Sequence, residues 1–142
     1  MKKYRITLLA IVVMLIITNF CGTTASASVT RSSPTLSSYS AVATRGSSAG
    51  KVIITYDVCA NAIASSLGVS KIEIYRSNGT YVTAIYPTTL NGLKTSNAMW
   101  HRSSYTYSGT SGVSYYAMVT VFATINGVTD SRTVKTNTVA AP

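Results

Sequence analysis

The chain has 142 residues, with 12 lysines and arginines against three acids, a formal net charge of +9, one histidine and two cysteines. That length holds one domain and not two. The three acids, Asp57, Glu73 and Asp130, are too few and too scattered for a glycosidase carboxylate pair, and with one histidine they exclude a spaced set of metal ligands. The positive excess favours anionic polymers or surfaces as partners.

The N-terminus carries a short basic leader (Lys2, Lys3, Arg5), then the unbroken apolar run LLAIVVMLII over residues 8–17. Thr18 and Asn19 end the run, and Ala25-Ser26-Ala27 follows as a small-x-small cleavage site. This order is that of a secretory signal peptide, residues 1–27, whose membrane contact ends at cleavage. The alternative is an uncleaved anchor, although the run is shorter than the ~20 apolar residues of a membrane helix. Bulky Phe20 before Cys21 argues against a lipid-anchored cysteine. Cleavage after Ala27 leaves 142 − 27 = 115 residues with nine basic and three acidic groups, a net +6. The expected location is outside the cell, in the medium or at the cell surface. One remaining cysteine, Cys59, allows no internal disulfide, so the fold stands on packing alone. An exported chain so poor in cysteine fits a bacterial source.

Residues 28–36 are rich in serine and threonine with Pro34, and read as a flexible lead-in to a domain spanning residues 37–142. Strands are expected at 37–45 and, most clearly, at 51–59. There Val52, Ile54, Tyr56 and Val58 share one face, and Thr55, Asp57 and Cys59 share the other. Asn61 as a cap, Gly68 as a stop, and Ile63 four residues before Leu67 predict one short helix over 61–68. Strands follow at 71–76 and 81–86, joined through Asn78-Gly79, and at 100–107. A long strand over 113–124 pairs with 128–139 through Asn126-Gly127. Asn-Gly between two β runs is a hairpin signal, because type I′ turns need positive φ at both central residues. Six or seven short strands separated by turn signals argue for a β-sandwich.

Residues 112–123, GVSYYAMVTVFA, resemble the sixth strand of fibronectin type III and related immunoglobulin-like domains, which reads Gly-x-x-Tyr and then alternates apolar residues to an alanine. Residues 71–79, KIEIYRSNG, resemble the third strand of bacterial members. The resemblance implies an all-β, immunoglobulin-like (fibronectin III-like) antiparallel sandwich of about seven strands, here with one short helix. It also implies that Tyr115 is the corner tyrosine, its hydroxyl bonded back to the chain near the preceding turn. Two positions depart from the pattern. Tyr56 stands where the family carries a tryptophan in the second strand. Gly109 stands where it carries a leucine six residues before the corner tyrosine, and Tyr107 is the nearest bulky residue.

No enzyme is expected. His101 suits general-base work, but no Gly-x-Ser-x-Gly elbow accompanies it. No phosphate loop or dinucleotide fingerprint implies a cofactor, and nucleic acid is not an expected partner of an exported chain. Cys59 is either a reactive or intermolecular thiol, or a small apolar residue tucked beneath the expected helix.

The leading expectation is a binding or adhesion module. If Tyr115, Ala117, Val119 and Val121 face the core, then Tyr116, Met118 and Phe122 face outward, with Tyr75 beside them. That row is more apolar than a solvated sheet face, and its residue types are enriched at interfaces. Either an unknown partner protein or a second copy covers it, or residues 87–99 fold over it. The alternative is binding of carbohydrate or an anionic cell-wall polymer by Trp100, His101, Arg102, Tyr105 and Tyr107.

Overall fold

Branched and aromatic residues at every second position make strands, because alternate side chains leave opposite faces of a pleated backbone. In the computed structural model, which describes residues 33–142, this pattern yields nine strands: β1 (Leu36–Arg45), β2 (Lys51–Ala64), β3 (Ser66–Arg76), β4 (Tyr81–Ile85), β5 (Lys94–Thr95), β6 (Ala98–Ser108), β7 (Ser114–Ile125), β8 (Val128–Lys135) and β9 (Val139–Ala140). The expected signal peptide at 1–27, and residues 28–32 of the expected lead-in, lie outside the described residues.

Two antiparallel sheets result. Sheet A has the order β1-β2-β6, and sheet B the order β4-β3-β7-β8, with β5 added to β3 and β9 to β7. The inner faces bury Val52, Ile54, Tyr56 and Val58 of β2 against Leu67, Val69, Ile72 and Ile74 of β3 and Tyr115, Ala117, Val119 and Val121 of β7. The alternation expected on β2 and β7 is what the structure contains. Each such aliphatic side chain contributes roughly 1.5–3 kcal/mol when removed from water, so a core of this size needs no disulfide.

The expected helix over 61–68 does not form. Residues 61–64 continue β2, and residues 66–68 begin β3. Asn61 is not a helix cap: its backbone N–H donates to the Thr35 carbonyl at 2.9 Å, and its side-chain amide to the Ser33 carbonyl at 3.1 Å. Ser65 N–H donates to the Thr124 carbonyl, and Leu67 pairs with Ala123 of β7. Strand partners from both sheets thus take the backbone groups that a helix would use internally. Ile63 and Leu67 share no face, for Ile63 is 67% exposed and Leu67 fully buried. Cys59, which one of its two readings tucked beneath that helix, stands half-buried in a strand.

The two Asn-Gly turns differ. Asn126 and Gly127 both have positive φ (51° and 78°), as a two-residue hairpin requires. At the other turn only Gly79 does (87°). There four residues, 77–80, connect β3 to β4, with Gly79 N–H donating to the Arg76 carbonyl and Arg76 N–H to the Thr80 carbonyl. The expected final strand is also broken in two. At Thr136 the chain leaves β8, and Asn137 reaches across to β1, its side-chain amide bonding both the N–H and the C=O of Ala43 at 2.9 Å. This laces one side of the sandwich.

The Tyr115 hydroxyl accepts the Thr110 N–H at 2.9 Å, tying the start of β7 to the turn before it. A Cβ at Gly109 would sit 2.7 Å from the Tyr115 ring, so no side chain fits there. Tyr107 supplies the bulk instead, its ring edge-on to Tyr115 at 5.3 Å.

The described chain opens on a clamp. The Ser33 hydroxyl donates to the Asp130 carboxylate on β8 and accepts the Leu36 N–H at 2.8 Å, while Arg132 pairs with the same carboxylate. The Ser33 bond, with Arg132 adding to it, holds Asp130 below its ordinary value of 3.8. A depressed carboxyl contributes stability that is present above its unfolded value and is lost as pH falls through the lower folded one. The clamp is therefore expected to hold above about pH 4 and to release in stronger acid. Carboxyl-carbon NMR titration of Asp130 should give a midpoint below 3.8 that rises in Ser33→Ala.

Candidate functional site

The alternation of β6 decides what each sheet-A residue can do. Trp100, Arg102, Ser104 and Thr106 point outward. Strand register sets Ser38, Cys59 and Trp100 in one row, and Ser40, Asp57 and Arg102 in the next. The Trp100 indole is 55% exposed, and its Nε1–H donates to Asp57 Oδ1 at 2.8 Å. That bond orients the ring on the sheet while leaving much of it open. Beside it lie two shallow depressions that share Ser40 and Asp57. One, of about 300 Å³, is lined by Tyr39, Cys59 and Trp100 besides. The other, of about 320 Å³, includes Val42, Thr55 and Arg102.

The remaining residues expected to join Trp100 and Arg102 lie on the other face. His101, Tyr105 and Tyr107 alternate inward. The Gly92 carbonyl accepts the Tyr56 hydroxyl at 2.9 Å and lies 3.0 Å from His101 Nε2. A carbonyl only accepts, so the network assigns the Nε2 proton to His101, aimed at that oxygen. His101 thereby fastens the connection between β4 and β6 and serves as a structural tie. Tyr105 and Tyr107 pack partly against the core, further along the strand. The five residues therefore form two surfaces, one on each side of sheet A.

The row expected on sheet B exists, and Tyr75, Tyr116, Met118 and Phe122 are each half-buried within it. Tyr75 stacks on Tyr116 (5.3 Å, 8° between planes) and meets Tyr81 edge-on at 5.6 Å. Lys135 Nζ lies 4.3 Å over the Tyr116 ring. Met118 sits between Glu73 and Lys135, and Glu73 pairs with Lys71 at 3.1 Å, raising Lys71 above its ordinary value. Phe122 stands opposite Gly68, which has no side chain to pack. These rings spend their faces on one another, as cross-strand aromatic pairs do. Residues 87–99 do not fold over the row: they bond the edge of β3, with Val69 N–H donating to the Leu93 carbonyl at 2.8 Å, and then cross to sheet A.

Every carboxylate has a partner inside the fold: Asp57 holds Trp100, Glu73 holds Lys71, and Asp130 holds Arg132 and Ser33. Among the described residues Arg45, Lys51, Arg76, Lys94, Arg102 and Lys135 have no carboxylate within salt-bridge reach. No three His, Cys, Asp or Glu side chains among the described residues gather as metal ligands.

Two contributors lay outside the expected set. Asp57 orients Trp100, and Tyr86 completes a cleft with Tyr105 and Tyr107. The phase of β2 already placed Asp57 outward, but no local signal pairs it with a residue 43 positions away. No protein-family model, curated protein or solved structure matches the chain.

Proposed function

We propose that the chain is an exported, non-catalytic binding module of fibronectin III-like type, which holds an anionic polymer, such as a wall polymer or acidic polysaccharide, on the outer face of sheet A. The fold part of this reading draws support from strand order. Leaving aside the two-residue β5 and β9, seven strands remain, in two sheets, with Tyr56 on the second, Glu73 on the third and Tyr115 at the start of the sixth. The Tyr115 hydroxyl bond to Thr110 is the contact expected of a corner tyrosine.

The observation that carries the binding part is Trp100: an open indole, oriented by Asp57, one row from an Arg102 that lacks a carboxylate partner. The indole offers a flat apolar face to a sugar ring, and the guanidinium offers paired donors to a carboxylate or phosphate. Retention on immobilised polygalacturonate and polyglycerol phosphate should fall as salt rises. Trp100→Ala and Arg102→Ala are each expected to weaken it about tenfold, ~1.4 kcal/mol. Retention untouched by both substitutions would sink the proposal.

A second reading, contact with another protein through sheet B, is favoured by one observation. Met118 and Phe122 stay partly open, and residues 87–99 run along β3 and across to sheet A and do not cover them. On that reading Phe122→Asp abolishes association in light scattering and leaves polymer retention intact. A scattering mass unchanged between the native chain and the variant removes it.

A further inference from the structure

The sandwich is laced at two places and open at a third. On the side where β4 and β6 are the bare outer strands of their sheets, the Tyr56 and His101 bonds to Gly92 close one end. Toward the other end of β6 the two edges part, leaving a cleft of about 580 Å³. This lies within the ~300–1,000 Å³ range of small-ligand sites. Its walls carry Ile85 and Tyr86 from the β4 side and Tyr105 and Tyr107 from β6.

We propose that this cleft binds a neutral saccharide of one or two rings, at a site separate from the Trp100 face. The chemistry of the lining selects the ligand class. No charged side chain lines the cleft, so its walls offer an ionic ligand no direct ion pair. Three tyrosines offer flat faces for the C–H surface of a sugar ring. Thr83 and Thr88 add hydroxyls to the lining, which suits a polyhydroxyl ligand better than a wholly apolar one. Among the described residues, the tyrosine hydroxyls held inside the fold are those of Tyr56 and Tyr115, which leaves the cleft tyrosines free to bond a ligand. The site is also built in advance. Asn91 donates to the Tyr86 carbonyl at 2.7 Å and accepts the Thr88 N–H at 2.9 Å, holding Tyr86 at the mouth, where it is 59% exposed. Tyr107 is braced edge-on by Tyr115. Addition of a peptide strand is the weaker fit, because β4 offers only five residues before Tyr86 and Pro87.

The single tryptophan separates this site from the one on sheet A. Titrating ¹⁵N-labelled protein with maltose, cellobiose and N,N′-diacetylchitobiose should move the amides of residues 83–86, 88 and 105–108 together, with at least one disaccharide saturating at a Kd on the order of 1 mM. Trp100 fluorescence should stay constant throughout. Tyr86→Ala and Tyr105→Ala should each weaken that binding at least fivefold, with the amide spectrum elsewhere and salt-dependent polymer retention preserved. The proposal is overturned if none of the three sugars moves these amides, if the shifts fall on Trp100 and Asp57 instead, or if glucuronate binds as well as the neutral sugars. Loss of polymer retention in Trp100→Ala bears on the sheet-A reading alone.

Discussion

Tyr56→Ala is expected to lower folding stability by about 4 kcal/mol, near the middle of the ~3–5 kcal/mol range for truncating a buried aromatic. Tyr56 is fully buried on the inner face of β2. Truncation leaves a cavity between the sheets and frees the Gly92 carbonyl from one of its two donors. Against a total of ~5–15 kcal/mol for a domain, this is a large fraction. Urea unfolding should show a lower midpoint at unchanged slope. Tyr56→Phe keeps the ring and isolates the hydroxyl, so it should cost about 1 kcal/mol. Equal losses in the two variants would mean that the bond to Gly92, and not the ring, carries the position.

The same residue sets an alkaline limit. Burial pushes the Tyr56 hydroxyl up to about 12, against a smaller lowering by Ser103. A raised folded value means that the folded state holds the proton more tightly. The contribution is therefore complete below the ordinary tyrosine value of 10 and is lost as pH climbs from there toward 12. Tyr56→Phe should flatten most of that limb. A remainder is expected from Tyr107, whose hydroxyl is raised first by burial and then by Tyr115.

The strands were legible because period two is a local property. Val52, Ile54, Tyr56 and Val58 announce their buried face without reference to any other segment. The Asn126-Gly127 hairpin was legible for the same reason, since its turn is local, whereas the Tyr115 bond to Thr110 was expected only from the family resemblance. The segment 61–68 was misread because its decisive partners are remote. Nothing near Asn61 tells that Ser33 and Thr35 take its donors, or that Gly68 ends no helix but admits another strand. The sugar-binding set failed on a different rule. Trp100 and His101 are adjacent in sequence and therefore opposite in a strand, so proximity along the chain grouped residues that the pleat separates. Register stayed hidden as well: that Asp57 meets Trp100, or that Phe122 meets Gly68, depends on which strands pair and at what offset.

Gly68 makes that remote dependence measurable, and Gly68→Ala is expected to cost about 3 kcal/mol. Its φ of +143° is one that L-residues rarely adopt, at a penalty of ~1–3 kcal/mol. The larger obstacle is steric. A Cβ there would fall onto the Leu93 carbonyl oxygen and lie 2.7 Å from Lys94 Cα, and both obstacles are backbone. To make room, β5 must leave the edge of β3, breaking the Val69–Leu93 bond and loosening Leu93, which is fully buried. The companion variant Gly79→Ala shares the positive φ, at +87°, but its Cβ would meet nothing within 4 Å, so ~1 kcal/mol is expected from conformation alone. The difference between the two variants is the cost of displacing β5. It should appear in thermal unfolding and, more specifically, as proteolytic nicking within residues 87–97 of the Gly68→Ala variant. Equal losses with residues 87–97 still protected would show that the chain accommodates the methyl group without releasing the strand, and that the close approach of Leu93 to β3 contributes little to holding the open side of the sandwich.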